Sequence, residues 1–407
     1  MLIKAKKILN ILNKSGYESY IVGGAVRDYL LGLNPSDIDI TTSATPKEVI
    51  NLFSKTYPSG IKFGTVTVII DGEDFEVTTF RTDGEYLDGR RPEVVVFGES
   101  IEEDLSRRDF TINAMAMDVN GKIVDLFGGQ NDLEKGIIKA VGNPKERFSE
   151  DALRILRAFR FSARYGFSIE AETLKAIEET KKGLKLISAE RIREEISKIL
   201  LTDNVVPTFL AMHETGVLEI ILPEIARMYG VKQNNSYHVY DVFTHTMKAV
   251  EYVPKNATLR WAMLLHDIGK ANTKETIDGV DHFYKHNVKS VEIAKTILDR
   301  LNFSNKAKNE ILELIKLHDR PIQPTSKAVR RLLNQLQYTS LDNLLTVKEA
   351  DYKAQNWEHL DERLNALNQI RNIAQNEEKM TVKDLKVNGY DLMELGLKGK
   401  EIGNMQK

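Results

Sequence analysis

The spacing of apolar residues changes period once along this chain, near Asn143, and that switch limits what each part can become. Up to about Phe127 the runs SYIVGG, DIDITTS, TVTVIID, FEVTTF, EVVVF and MAMDVNGKIVDLF read as strands separated by turn residues. In the last run Asn120-Gly121 stands between two apolar alternations, which predicts a two-residue hairpin turn. Beyond Asn143, stretches such as ALRILRAFRFSARY, AERIREEISKIL and NEILELIKL repeat at the helical period. The fold class is therefore α+β, a mixed sheet with helices followed by an elongated all-helical C-terminal portion. Breaks around Pro223 to Asn235 and near Gln355 give expected segments 1–142, 143–228, 229–354 and 355–407. With 407 residues, several cores are expected.

Cysteine is absent, which excludes disulfides and thiolate metal sites and leaves Asp, Glu and His to hold any metal. That fits a reducing cytoplasm. The start, MLIKAKKILNILNKSGY, is too broken for a signal segment, and no stretch reaches the roughly 18 apolar residues of a membrane span. A cytoplasmic protein without a membrane partner is expected. A net charge of −2 offers no global attraction to a polyanion, so any RNA contact must come from local basic patches.

Several constellations carry chemistry. Asp37 and Asp39 are two apart in DIDITT, which as a strand puts both carboxylates on one face about 7 Å apart. Glu76 in FEVTTF supplies a third if that strand pairs alongside, and such an oxygen-only cluster suits Mg²⁺. A bare Asp-x-Asp is equally a solvated strand edge. Upstream, Gly23-Gly24 follows an apolar strand and opens VRDYLLG, a helix start whose N–H groups can hold phosphate, with Arg27 adding charge and Asp28 orienting it. Asp151 and Arg154 are three apart and read as one helix face, continued by Arg157, Arg160 and Arg164. A solvated, salt-bridged face has the same pattern. In RRDFTINA, Arg107 and Arg108 stand beside Asp109 and Asn113; adjacent arginines diverge on a regular element, so one of them, Arg108, is assigned to a phosphate site. Later the chain becomes dense in histidine, from His238 to His318.

The order GGAVRD, spacer, DIDI resembles the head of the class II tRNA nucleotidyltransferase and bacterial poly(A) polymerase family. KFGTVTV, EVTTFR, EEDLSRRDFTINAMAMD, EDALRILRAFRFSARYGF and SAERIREEI follow in the family's order, from Gly23 to roughly Arg193. The resemblance implies a nucleotidyltransferase-type sheet in which Asp37 and Asp39, helped by Glu76, carry Mg²⁺. It further implies nucleotide binding by Gly24, Arg27, Arg108, Asp109, Asn113, Arg157 and Arg160, and base reading by Asp151 and Arg154. A carboxylate accepts from the exocyclic amine of C or A and a guanidinium donates to the adjacent ring acceptor, whereas U and G present a carbonyl instead. The implied activity is template-independent CCA addition from CTP and ATP to tRNA, gripped at its 3′ end and elbow. Members that add only the two cytidines tend to lack the loop TDGEYLDGRRPEV, residues 82–94, so its presence favours complete CCA addition or A addition. An A-adding enzyme shares every motif. Poly(A) polymerases typically carry proline where this chain has Ala152, and a long basic tail where this one is mixed in charge.

The histidine segment is similar to the HD phosphohydrolase domain, which implies His245, His266, Asp267 and Asp351 as ligands of a divalent metal such as Mn²⁺, Ni²⁺ or Fe²⁺. His282, His286 and His318 then line the site or bind a second ion. The segment is either a phosphohydrolase, which by itself would be an alternative function for the chain, or a helical RNA-binding body. The tail, DLKVNGYDLMELG with KGKEIG, resembles the C-terminal element of CCA-adding enzymes of Gram-positive type and implies a tRNA contact.

Overall fold

The computed structural model describes residues 1–35, 37–82, 96–98, 100–376, 389–394, 396, 398 and 401. Most of the 82–94 segment and most of the tail motifs lie outside the described residues. The chain divides into two compact units, Met1–Ile221 and Leu222–Lys407.

In the first unit, seven strands form one sheet: β1 (Ser19–Val22), β2 (Asp39–Thr42), β3 (Thr56–Gly60), β4 (Thr65–Ile70), β5 (Glu73–Thr79), β6 (Met115–Met117) and β7 (Ile123–Asp125). Their spatial order is β3-β4-β5-β2-β1-β6-β7. β2 and β5 run parallel while the other neighbours run antiparallel, so the sheet is mixed. Along β4 and β5 every second residue is buried, among them Val66, Val68, Phe75 and Val77, as expected of strands with one face on the core.

Four details differ from the sequence reading. β2 begins only at Asp39, because the chain is still in a bend at Asp37 after Asn34-Pro35, so the two aspartates do not share a strand face. The β6–β7 hairpin is present, but its connection is Val119 to Gly121 rather than two residues: Asp118 N–H donates to Lys122 O, and the Asp118 carboxylate accepts from the N–H groups of Asn120 and Lys122. β3, TYPSG, was not expected as a strand, yet Pro58 is tolerated there because β3 lies at the sheet edge. A second hairpin, Glu275–Ile277 with Val280–His282, interrupts the helical part and turns through Asp278 and Gly279, both at positive φ.

Helices accompany the sheet in this unit: α1 (Gly24–Leu30), α2 (Ile101–Ser106), α3 (Pro144–Glu150), α4 (Leu153–Tyr165) and α5 (Ala189–Leu200). α4 buries Ile155, Leu156 and Phe159 and stops at Gly166 in the left-handed region. In the second unit α6 (Val242–Tyr252), α7 (Ala257–Leu265), α8 (His286–Arg300), α9 (Asn305–Leu317) and α10 (Leu341–Lys353) enclose a core around Phe243, Trp261, Leu264, Ile315 and Leu344. Among the described residues no helix is long and apolar enough to cross a membrane.

Candidate active site and metal centre

A cavity of about 810 Å³ opens in the first unit, between the end of β1, the start of β2 and the polar face of α4. Gly23 and Gly24 form its floor where β1 turns into α1. Gly23 sits at φ +69°, a conformation that favours glycine, and a Cβ there would lie 2.8 Å from Arg108 Nη1, so the end of that side chain would have to shift.

Arg27 on α1 is buried. Its guanidinium donates to Asp28 Oδ1 from Nε (2.9 Å) and Nη2 (2.8 Å), donates from Nη1 to Asn113 Oδ1, and stacks against Phe161 and Tyr165. Asp28 thus orients Arg27, as its position in the sequence suggested. Burial pushes the Tyr165 hydroxyl up to about 12, so it stays a donor, 2.9 Å from Asp28 Oδ1. Asn113 in turn donates to Asp109 Oδ1 (2.9 Å), and Asp109 Oδ2 accepts from Arg157 Nε (2.7 Å). Burial opposes the charge on Asp109, but Arg157 and the Asn113 amide outweigh it and hold the carboxyl at about 2.

The expectation that only one of Arg107 and Arg108 enters the cavity is corrected. Both line it, because Arg107 caps the end of α2 and Arg108 lies beyond it, where helical divergence no longer applies. Asp104, fully buried, pairs with both, at 2.7 Å and 2.9 Å. Asp39 stands on the rim, exposed, yet neighbouring protein removes enough water to raise its pKa; Arg108 pulls it back and Asp37 pushes it further up. Glu76 on β5 is opposite Asp39 in the ladder and exposed beside it. Asp37 and Glu76 are not part of the cavity wall itself.

Asp151 and Arg154 both line the cavity, but not from one helix face. Asp151, with Ala152, forms the two-residue junction between α3 and α4; its Oδ1 accepts from Leu153 N–H (3.0 Å) and its Oδ2 from Arg191 Nη2 on α5 (2.7 Å). Arg154, in the first turn of α4, is tied to Glu150 Oε2 (2.6 Å) and to the carbonyls of Arg147 and Arg107. One turn on, Arg157 holds Asp109; a turn further, Arg160 reaches Glu195 on α5 (3.0 Å) and stacks on Phe161. The sequence reading missed four partners. Asp104 and Glu150 precede their arginines by helical pairing distances, a signal that was readable. Arg191 and Glu195 come from a distant motif, and no spacing announces their partners.

In the second unit, four histidines converge on one carboxylate. Asp267 Oδ2 lies 3.4 Å from His245 Nε2 and 3.2 Å from His266 Nε2, while Asp267 Oδ1 lies 3.3 Å from His286 Nε2 and 3.7 Å from His318 Nε2. Asp351 Oδ1 adds 3.1 Å to His245. Each of these histidines has Nδ1 on a backbone carbonyl, of Ala354, Met263, Phe283 and Ile315 respectively, which turns Nε2 inward. His282 faces the same cavity of about 600 Å³ but stacks on Tyr284 instead. Burial disfavours a charged His266, yet Asp267 and Asp351 raise it to about 10; burial likewise opposes the charge on Asp267, which His266 and Lys270 hold well below the usual carboxylate range. Among the described residues, the tight groups able to hold a metal are His245–His266–Asp267 and Asp267–His286–His318.

Strands that set a carboxylate pair in register beside an arginine-walled cavity define a class, the proteins built on a poly(A) polymerase head. The family described as Poly A polymerase head domain matches residues 19–139, followed by the Probable RNA and SrmB- binding site of polymerase A at 166–229 and the HD domain at 235–356. The CCA-adding enzyme of Staphylococcus haemolyticus (strain JCSC1435) is 37% identical over 317 residues, 77% of this chain and 76% of that enzyme. The chain belongs to the CCA-adding enzyme family. Its match to the CCA-adding enzyme of Lactobacillus helveticus (strain DPC 4571) is 54% identical over 197 residues, 48% of this chain and 49% of that enzyme, so the chain spans about half the length of some curated relatives. The crystal structure of the Bacillus stearothermophilus CCA-adding enzyme in complex with CTP aligns with a TM-score of 0.75 at 30% identity, covering 99% of this chain and 91% of that one.

Proposed function

We propose that this chain adds CCA to the 3′ end of tRNA, using CTP and ATP and no nucleic-acid template, in the cytoplasm. The observation that supports this most is one cavity wall that carries the rim carboxylate Asp39, the pair Asp151 and Arg154, and a bank of arginines. Asp37, Asp39 and Glu76 would hold Mg²⁺: their oxygen-only set suits it, and a cation would offset the loss of water and, to a lesser degree, the Asp37 charge that together raise Asp39. Bound there, Mg²⁺ would offset the negative charge of the triphosphate and lower the pKa of the attacking hydroxyl.

The chain's own groups position the reactants. Arg108, Arg157 and Arg160 face the triphosphate, each anchored on a buried carboxylate that fixes its direction, with Arg27 behind them. The guanidinium groups of Arg108 and Arg191 both border the cavity, and the carboxylates of Asp104 and Asp151 hold them there, so little reorganisation is needed to meet a ligand. Asp151 uses acceptor sites on Leu153 N–H and Arg191, and a carboxylate offers about four. A remaining site accepts from the exocyclic amine of C or A, and an unused Arg154 N–H donates to the adjacent ring atom. The tRNA 3′-oxygen then bonds to the α-phosphorus, pyrophosphate leaves with the electron pair of the broken P–O bond, and the hydroxyl proton is released. The proposed segments are a catalytic head (1–142), a nucleotide-selecting neck (143–228), an HD-like body (229–354) and a tRNA-contacting tail (355–407).

Incubation with tRNAs lacking CCA, CA or A, with labelled CTP and ATP supplied separately, tests the proposal. CMP incorporation followed by AMP is expected. Incorporation of AMP alone, only on tRNA ending in CC, would replace it with A addition. A second reading, metal-dependent phosphohydrolysis, is favoured by the inward-facing Nε2 atoms: His245, His266, Asp267 and Asp351 would hold a divalent ion such as Mn²⁺, Ni²⁺ or Fe²⁺ there.

A further inference from the structure

We infer that Lys198 on α5 binds the terminal phosphate of the incoming nucleoside triphosphate, together with Arg160. This rests on the proposed use of CTP and ATP and adds which way round the nucleotide lies. α4 and α5 run side by side in the same direction. Arg191, near the start of α5, meets Asp151 just before α4 (2.7 Å), and Glu195, a turn on, meets Arg160 (3.0 Å). Beyond the end of α5, Asn204 donates to the Ala163 carbonyl near the end of α4 (2.9 Å). The cavity of about 810 Å³ runs along this pair. From Arg154 to Arg164 a helix rises about 15 Å, so the trough has two separate ends.

The two ends differ in chemistry. At the start, Asp151, Arg154 and Arg191 line the wall, a mixed set of acceptor and donors that suits the edge of an uncharged base. At the far end the charged groups of the wall are Arg160, Arg164 and Lys198, all cations. Their carboxylate partners, Glu195 and Asp28, are buried and do not form part of the wall. Glu195 Oε1 accepts from both Arg160 Nη1 (3.0 Å) and Lys198 Nζ (3.4 Å), so one carboxylate serves two cations and one positive charge is left unbalanced. Burial and then the Arg157 charge hold the Arg160 guanidinium below its ordinary value despite Glu195, because the cations crowd one another. A polyanion relieves that crowding. With the base at Asp151, the phosphates extend along the arginines of α4 and the last of them reaches Lys198. The Lys198 side chain is 51% exposed, so it turns to a ligand without disturbing the core.

Equilibrium binding of CTP, ATP, CDP and CMP with Mg²⁺, on the parent and on Lys198→Gln, tests this, with nucleotide addition followed on the same preparations. The parent should bind CTP more tightly than CDP or CMP. Lys198→Gln should weaken CTP and ATP by about tenfold, the size of one charge-assisted hydrogen bond, while CMP binding and the preference for C and A over U and G stay as in the parent. Lys198→Arg should restore most of the loss, and the KM for pyrophosphate in the reverse reaction of Lys198→Gln should rise in parallel. Equal weakening of CTP, CDP and CMP would overturn the assignment by making Lys198 a support of the whole cavity. Unchanged CTP binding would overturn it by leaving Lys198 as no more than a solvated partner of Glu195. A parent that binds CTP no better than CMP would instead overturn the triphosphate reading on which this one depends.

Discussion

Asp109 is held ionised by its partners against its own burial, and that balance is measurable. Its carboxyl is depressed from the ordinary 3.8 to about 2, so the stability it contributes is complete above about pH 4 and is lost as pH falls through about 2. A shift of that size is worth about 2 kcal/mol. Denaturant unfolding from pH 6 to pH 2 should show the gap between the parent and Asp109→Asn closing below pH 4; a gap independent of pH would mean that Arg157 gains nothing from the charge. At the rim, Asp37→Ala and Asp39→Ala should each abolish nucleotide addition and leave tRNA binding largely intact, because affinity for RNA comes mainly from phosphate contacts. Addition near the parent rate by either variant would remove the residue it replaces from metal binding. Asp151 and Arg160 were named from the sequence and its family resemblance, but their partners Arg191 and Glu195 were not, since 40 residues separate Asp151 from Arg191 and only the fold joins them.

Among the elements, the junctions carry the site and were the hardest to read. The periodicity of α4 was plain, but its start was not, because Asp151 closes the preceding helix in an extended conformation rather than forming part of a continuous one. The strand at Thr56 was hidden by Pro58, and the hairpin at Asp278-Gly279 by a surrounding helical context, although Asp-Gly is a strong turn signal in its own right. The turn from β1 into α1 gives an element-scale prediction. Gly23→Ala places a Cβ against Arg108 Nη1 and a side chain in a backbone region sparsely populated by other residues, which costs about 1–3 kcal/mol of stability and displaces that arginine. Nucleotide KM should rise by roughly tenfold while the fold is retained; an unchanged KM would show that Arg108 does not face the triphosphate.

For the whole molecule, the division into two compact units sets each site within its own unit. If the second unit is a phosphohydrolase, His266→Ala should remove a metal-dependent phosphatase or phosphodiesterase activity and spare CCA synthesis, assayed on one preparation. Loss of CCA synthesis with the fold preserved would make the histidines part of the tRNA-binding body instead. The central claim is that side chains take the place of a template, and Asp151→Ala tests it most directly. The rim carboxylates and the arginines remain, so addition should continue at reduced rate while the acceptor that disfavours U and G is gone. One bidentate pairing supplies about 1–3 kcal/mol of discrimination, so UMP and GMP incorporation should rise roughly tenfold to a hundredfold relative to CMP. A lower rate with the relative use of CTP, ATP, UTP and GTP unchanged would contradict the account and leave Asp151 as no more than the acceptor of Leu153 N–H and the partner of Arg191.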